Sequence, residues 1–300
     1  MKTLRILIYR NIKLFFKDKG MFFTSLITPL ILLVLYSTFL GNVFEESFRA
    51  AIPKGIAIDD KILSGIVGGQ LLSSLLAVSC VTVAFCSNML MVQDKVTGAA
   101  KDISMTPVKG SSLALGYYIA SFCSTFIISI IAMTAGLIYI SAIGWYISFA
   151  DVMYILLDVF LLVMFGTALS SVINYFLSTQ GQISAVGSIV SSVYGFICGA
   201  YMPISSSGEG VQKLVLFLPG TYATSLLRNH CMSGAFDEFE KSGIPSEIVK
   251  GMRDSVDCNL YFFDEKVSIY AMYLVLSLSV AVLISAYVII NILAIRKKKK

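Results

Sequence analysis

LSGIVGGQLLSSLLAVSCVTVAFCSNMLMV, residues 63–92, followed at once by QDKVTGAAKDISMTPVKGSS, residues 93–112, decides the fold class. The first stretch carries no charge and exceeds the roughly 20 apolar residues that a helix needs to cross hydrocarbon. The second is polar, compatible with a helix from Asp94 to Met105, and is stopped by Pro107. Gly65, Gly68 and Gly69 permit close contact between the long apolar helix and a neighbour. Its length lets it tilt or continue past a bilayer as helix.

Outward from this stretch the chain repeats the pattern. Further apolar runs at 21–41, 112–140, 152–176, 181–202 and 267–295 bring the predicted spans to six. Composition agrees: 57% of the 300 residues are hydrophobic and 14% charged, with mean hydropathy +0.82, whereas soluble domains are roughly one quarter charged. The predicted fold is an all-α integral membrane protein forming one transmembrane domain over 1–300. It comprises an interface helix (1–20), six spans, a polar loop (93–111) and an outer, partly re-entrant segment (203–266). A span-length first run without a small-residue cleavage site is no signal peptide. No CxxC occurs, and Cys80, Cys86, Cys123 and Cys198 lie inside apolar runs as small core residues.

Basic residues in short flanks stay on the cytoplasmic side. The N-terminal segment (Lys2, Arg5, Arg10, Lys13, Lys17, Lys19), the 93–111 loop (Lys95, Lys101, Lys109) and the tail (Arg296–Lys300) hold fourteen of them against three acids, Asp18, Asp94 and Asp102. The alternate segments hold nine basic and fourteen acidic residues, and Asp158 is left inside the fourth run. Both termini are therefore predicted to be cytoplasmic, and the terminal KKKK reads as a topology anchor. Charge sorted by side, rather than gathered in one groove, argues against a nucleic-acid partner.

Wound as a helix, residues 2–17 gather Lys2, Arg5, Arg10, Lys13 and Lys17 within roughly 140° of arc, with Leu4, Leu7, Ile8, Leu14 and Phe15 opposite. This predicts a helix lying in the bilayer interface, its apolar face among acyl chains and its basic face on anionic headgroups. It is either an anchor alone or also a contact for a cytoplasmic partner at the foot of the first span.

A stiff helix in the 93–112 loop could pass a push from a cytoplasmic motor into two spans. Here the chain resembles the type-2 permeases of ATP-binding-cassette (ABC) exporters. In those proteins an acidic residue, a Gly-Thr or Thr-Gly pair, a helical turn and a Pro-Val or Pro-Leu step follow the second span and form the coupling helix that docks on the ATPase. Asp94, Thr97, Gly98, Met105, Thr106, Pro107 and Val108 match, with Asp94 where Glu is usual and Thr-Gly in place of Gly-Thr. GAYMP (199–203), FLPGTY (217–222) and LLR (226–228) resemble the outer segment that follows the family's fifth span. Pro203 and Pro219 break helices, and the apolar run 214–218 is too short to cross, so an outer gate is expected at Pro203, Pro219 and Tyr222. With the start RNIKLFFKDKGMFFTSLITPLILLVLY (10–36), the resemblance covers essentially the whole chain.

The resemblance implies a permease of the drug, lipid or peptide exporting branch. It implies two copies of an ATPase subunit that carries ATP and Mg, and a second permease subunit, either another copy or a related chain. No GxxxxGK[ST] is present, so the phosphate-cradling loop is expected on another polypeptide, and no cofactor is expected on this one. The absence of a fused ATPase favours a bacterial or archaeal plasma membrane.

Other readings remain open. A polysaccharide exporter shares the fold. An ion-coupled carrier or channel would place ionisable groups at mid-membrane. Asp158 is the one candidate, seven residues beyond Asp151 and so roughly 10 Å in, where headgroups or water could reach it. Structural, substrate-path and proton-coupling roles are all compatible with that depth. An intramembrane serine protease needs a histidine facing a serine, but the single histidine, His230, falls in the polar outer stretch and reads as a solvated loop residue. Metal catalysis lacks ligands. Tyr36, Phe39, Phe165, Tyr194 and Phe196 suit an amphipathic or lipid-like cargo, or pack as interface belts. Cys231 and Cys258 are the two outer cysteines, either bridged, as oxidising surroundings favour, or free.

Overall fold

The computed structural model describes residues 2–51, 59–263 and 265–298; residues 1, 52–58, 264, 299 and 300 lie outside them, and of residues 2, 51, 104 and 294–298 only the backbone is described. The predicted basic anchor at the end of the tail therefore falls largely outside the described residues. In chain order the helices are α1 (Lys2–Lys17), α2 (Lys19–Leu35), α3 (Gly41–Ala51), α4 (Asp60–Val96), α5 (Ala99–Met105), α6 (Gly110–Ile143), α7 (Phe149–Phe176), α8 (Gln180–Ile197), α9 (Glu209–Val215), α10 (Pro219–Lys241), α11 (Ser246–Ser255) and α12 (Ile269–Lys298). A π-helical turn over Tyr36–Leu40 joins α2 to α3. Ahead of α12, β1 (Tyr261–Phe262) pairs antiparallel with β2 (Glu265–Lys266).

Among the described residues, five helical stretches are long and apolar enough to cross a membrane: Lys19–Ala50, Asp60–Val96, Gly110–Ile143, Phe149–Phe176 and Ile269–Leu293. They take up five of the six predicted runs, the first of which continues through the π turn to Ala50. The remaining run, 181–202, folds as α8 but ends at Ile197. With Gln180, Gln182 and four serines it does not reach the hydropathy of the other five.

Among these stretches α4 is the core: 89% of its most apolar part is buried, against 50% or less of the others. Small residues explain how α2, α6, α7, α8 and α10 can all approach it, because Ser73, Ser74, Ala77, Cys80 and Ala84 leave its backbone within reach. A Cβ on Gly69 would stand 2.5 Å from Met232 Cγ and 2.6 Å from the Cys231 carbonyl oxygen on α10. A backbone oxygen cannot swing aside, so Gly69→Val is expected to push α10 off α4, overpacking of this kind costing about 1–3 kcal/mol. The measurement is the melting temperature of detergent-solubilised protein, which should fall by several degrees; an unchanged curve would show that α10 does not press on α4.

Polar side chains tie α4 to its neighbours. Ser87 Oγ lies 2.9 Å from Thr125 Oγ1 on α6, and Asn88 Nδ2 donates to Ser171 (2.7 Å) and Ser170 (3.1 Å) on α7. Tyr36 Oη lies 3.0 Å from Ser74 Oγ and donates to the Ala200 carbonyl at 3.1 Å. Each such pair satisfies a group that would be costly to leave unpaired away from water.

The stretch 203–266, expected as a polar and partly re-entrant outer segment, is organised by α10. Leu226, Leu227, Met232, Ala235, Phe236 and Phe239 are buried, and α10 packs on α4, α7 and α12. A helix enclosed by three neighbours needs no single apolar stripe. Pro219 takes its first position, where a missing N–H is harmless. The Thr221 and Tyr222 hydroxyls donate to the Val215 and Leu216 carbonyls (2.8 and 2.7 Å) at the end of α9, closing a tight turn. Leu218, Pro219 and Gly220 share a cavity with Phe165 and Leu169 of α7, so the α9–α10 turn reaches well into the bundle.

Candidate functional site

At the α5 end of α4, two consecutive residues grip different neighbouring helices. Asp94 is 4% exposed. It accepts two N–H bonds from the Arg10 guanidinium (2.7 and 2.9 Å) and one from the Tyr117 hydroxyl (2.6 Å), tying α4 to α1 and α6. Lys95 donates to the carbonyls of Asn174 (3.2 Å), Tyr175 and Leu177 (2.9 Å), the acceptors that a helix C-terminus leaves unpaired. Its ammonium also lies 5.2 Å from the Tyr175 ring centroid. Three helices, α1, α6 and α7, thus converge on one turn of α4.

This geometry bears on two expectations. Asp94, expected among the docking residues, is turned inward with both oxygens engaged by Arg10 and Tyr117, so in this structure it joins helices rather than standing on the surface. Arg10 turns to Asp94 rather than to headgroups, and Leu7 and Phe15 are buried by protein in place of acyl chains, Leu7 against Gly116 of α6. Arg5, Lys13 and Lys17 remain exposed.

Past Lys95 the chain turns at Thr97 and Gly98, whose φ of +87° favours glycine. Along α5, Lys101, Asp102 and Met105 are exposed, Met105 at 83%. The Thr106 hydroxyl donates to the Ile103 carbonyl (2.6 Å) as Pro107 ends the helix. Of the coupling candidates, Thr97, Met105 and Pro107 lie on the surface, Gly98 forms the turn, and Asp94 lies inside.

Around α10 two further joints appear. Asp158, expected within reach of headgroups or water, is 1% exposed. His230 Nδ1 lies 2.6 Å from one of its oxygens and Tyr273 donates to the other at 2.6 Å, linking α7, α10 and α12. The Tyr154 ring stacks on His230 with centroids 5.0 Å apart. His230 is therefore a largely buried helical residue, not a solvated loop residue. Nearby, Arg228 donates to Asp257 (2.9 Å) and to the Gly199 carbonyl (2.5 Å). Asp257, at φ +52°, also accepts from the Ile204 and Ser205 N–H groups (2.6 and 3.1 Å). The sequence signal for this pair was an arginine directly after two leucines, in LLR (226–228).

Three cavities bear on the candidates. One of about 610 Å³ lies between α2, α4 and α8, lined among others by Met21, Met89, Gln93, Gln180, Ser184 and Ser188. Of α8 itself only Ile183 and Gly195 are buried. A second, about 500 Å³, has apolar walls that include Phe165, Leu169 and Leu278, together with Tyr194 and Pro219. Pro203 lines a third, beside Phe44 and Phe48. The outer-gate residues Pro203 and Pro219 are thus not brought to one place, while Tyr222 closes the α9–α10 turn. Asp158 lines none of the three.

Cys231 and Cys258 are free thiols, each 3% exposed, and form no bridge. Burial pushes the Cys258 thiol up to about 12, so it stays protonated near neutral pH and lacks the thiolate that disulfide formation needs. Among the described residues no group of three His, Cys, Asp or Glu could hold a metal ion.

Compared with known protein families, residues 2–231 match the ABC-2 type transporter, a stretch that runs from α1 to the middle of α10 and contains the α4–α5 joint. No curated protein and no solved structure matched.

Proposed function

The chain belongs to the ABC-2 type transporter family, and from that premise we propose that it is the membrane-spanning subunit of an exporter that moves an amphipathic or lipid-like cargo outward. Membership makes it a multi-pass membrane permease, driven by a partner ATPase that handles the ATP. We assign α5 as the helix that docks on that ATPase. The observation that carries this reading is the double grip at Asp94 and Lys95: any displacement of α5 enters α4 one turn later and reaches α1, α6 and α7 together. Met105, a large apolar side chain standing 83% exposed at the end of α5, has the character of an interface anchor.

In this reading α8 is the sixth crossing, since 18 helical residues rise about 27 Å, near the roughly 30 Å of hydrocarbon. Both termini and α5 then face a cytoplasm, as the basic residues require, and α9 and α10 enter from the outer side as a re-entrant pair. The exposed Gln180, Ser184 and Ser188 on α8 would be poorly placed against lipid. A second subunit, another copy or a related chain, is therefore assigned to close the 610 Å³ cavity across α8. The mixture of methionine, glutamine and serine in its walls suits an amphipathic cargo. Two ATPase copies complete the assembly, in a bacterial or archaeal plasma membrane.

Met105→Glu tests the dock. Being exposed, the residue carries no packing, so the melting temperature should hold. ATPase co-purifying from membranes should fall about tenfold, the effect of losing roughly 1.4 kcal/mol at an interface anchor. Undiminished co-purification would remove α5 as the docking helix.

A further inference from the structure

The apolar cavity at the α9–α10 turn is separate from the groove assigned to cargo. Phe165 and Leu169 of α7, Leu278 and Val282 of α12, Tyr194 of α8 and Gly220 line it, in a volume of about 500 Å³, within the roughly 300–1,000 Å³ of small-molecule sites. Phe165 and Leu169 stand 11 and 7 residues before the α7 terminus Phe176, which is roughly 10–17 Å along the helix. Leu278 and Val282 belong to a membrane-crossing stretch and are 60% and 59% exposed, so the mouth opens toward the bilayer.

One unpaired hydroxyl interrupts these walls. The Tyr194 hydroxyl is buried and has no hydrogen-bond partner among the described residues. It sits beside Gly220, where a Cβ would come within 2.7 Å of it. The other hydroxyl in the lining, Ser279, already donates to the Val275 carbonyl at 2.7 Å. Apolar cavities stay dry, and an orphaned donor in one is costly. Both deficits are met by a molecule with an apolar body and a single acceptor oxygen.

We propose that this cavity binds a neutral lipid, its chain against Phe165, Leu169 and Leu278 and its carbonyl or hydroxyl oxygen accepting from Tyr194. The occupant braces the α9–α10 turn from the bilayer side. The inference rests on the membrane location of α7 and α12 and does not depend on export, since binding is read without ATP.

The probe is a long-chain monoacylglycerol carrying a photoreactive diazirine on its chain, added to the full-length protein in nanodiscs, with a diazirine alkane of equal length as control. The ester probe should label peptides containing Leu169 or Leu278. Tyr194→Phe should lower ester-probe labelling about fivefold, the worth of one hydrogen bond, and leave alkane labelling unchanged. A mere packing role for Tyr194 would move both probes alike, and that result overturns the assignment. Val282→Trp, at the exposed mouth where folding is spared, should block both probes; if it lowers neither, the cavity is not the site. Repeating the experiment with the ATPase turning over distinguishes the sources: labelling lost on turnover identifies cargo in transit, and labelling retained identifies a resident lipid.

Discussion

Replacing Arg228 by methionine is expected to destabilise the fold by about 3–5 kcal/mol, the usual consequence of removing one partner from a buried ion pair. Its side chain is 1% exposed and that of Asp257 4%, so water cannot substitute for the guanidinium. The Gly199 carbonyl loses its donor in the same stroke, and the Ile204 and Ser205 N–H groups are left holding a carboxylate without its counter-charge. Arg228→Lys should be milder, because it keeps the charge but not the fork that reaches Asp257 and Gly199 together. Arg228→Met combined with Asp257→Asn should recover part of the loss, since no uncompensated charge remains buried. Melting temperature and the yield of monodisperse protein in detergent provide the measurement. If Arg228→Met melts like the parent, the pair does not fasten the chain leaving α8 to α10.

The second large effect concerns transmission. Asp94→Leu is expected to leave ATP hydrolysis by the partner running while transport falls, by about 5–150-fold if the joint carries the 1–3 kcal/mol typical of coupling between sites. The stability cost should be small: Arg10 is 31% exposed on its side chain and can turn to water once released, so the salt bridge itself contributes about 1 kcal/mol or less. Tyr117→Phe removes one hydrogen bond of three and should reduce transport only modestly. Arg10→Lys, which cannot make both bonds to Asp94, should fall between. In proteoliposomes containing both subunits, the decisive quantity is cargo moved per ATP hydrolysed. A variant that loses hydrolysis and transport in equal proportion would place Asp94 in the fold alone.

How far the sequence revealed these features depended on whether a residue's partner lies close along the chain. The long crossings were legible because hydropathy is a local sum, and so was α5, since polar residues ahead of Pro107 mark a short helix with its stop. α8 was legible as a helix but stays below the hydropathy of the other five, because Gln180, Gln182 and four serines dilute its apolar residues. The burial of Asp94 was not legible, because an acid at the end of a span ordinarily meets water, and the arginine that pairs with it lies 84 residues away. His230 and Asp158 were each noticed alone, yet nothing local joins positions 72 apart. α10 escaped notice because polar and apolar residues alternate around it, the pattern left when three different helices cover three different sides.

The unbroken length of α4 sets the mechanics of the whole subunit. Its 37 residues make a rod of about 55 Å, clamped at Asp94 and seated against α10 at Gly69. Rocking such a rod by some 10° about its midpoint would carry its two ends about 5 Å in opposite directions, close to one helical pitch. A small rotation driven from one face of the membrane would thus arrive at the other as a counter-movement of comparable size, with no bend along the way, opening one side as it narrows the other.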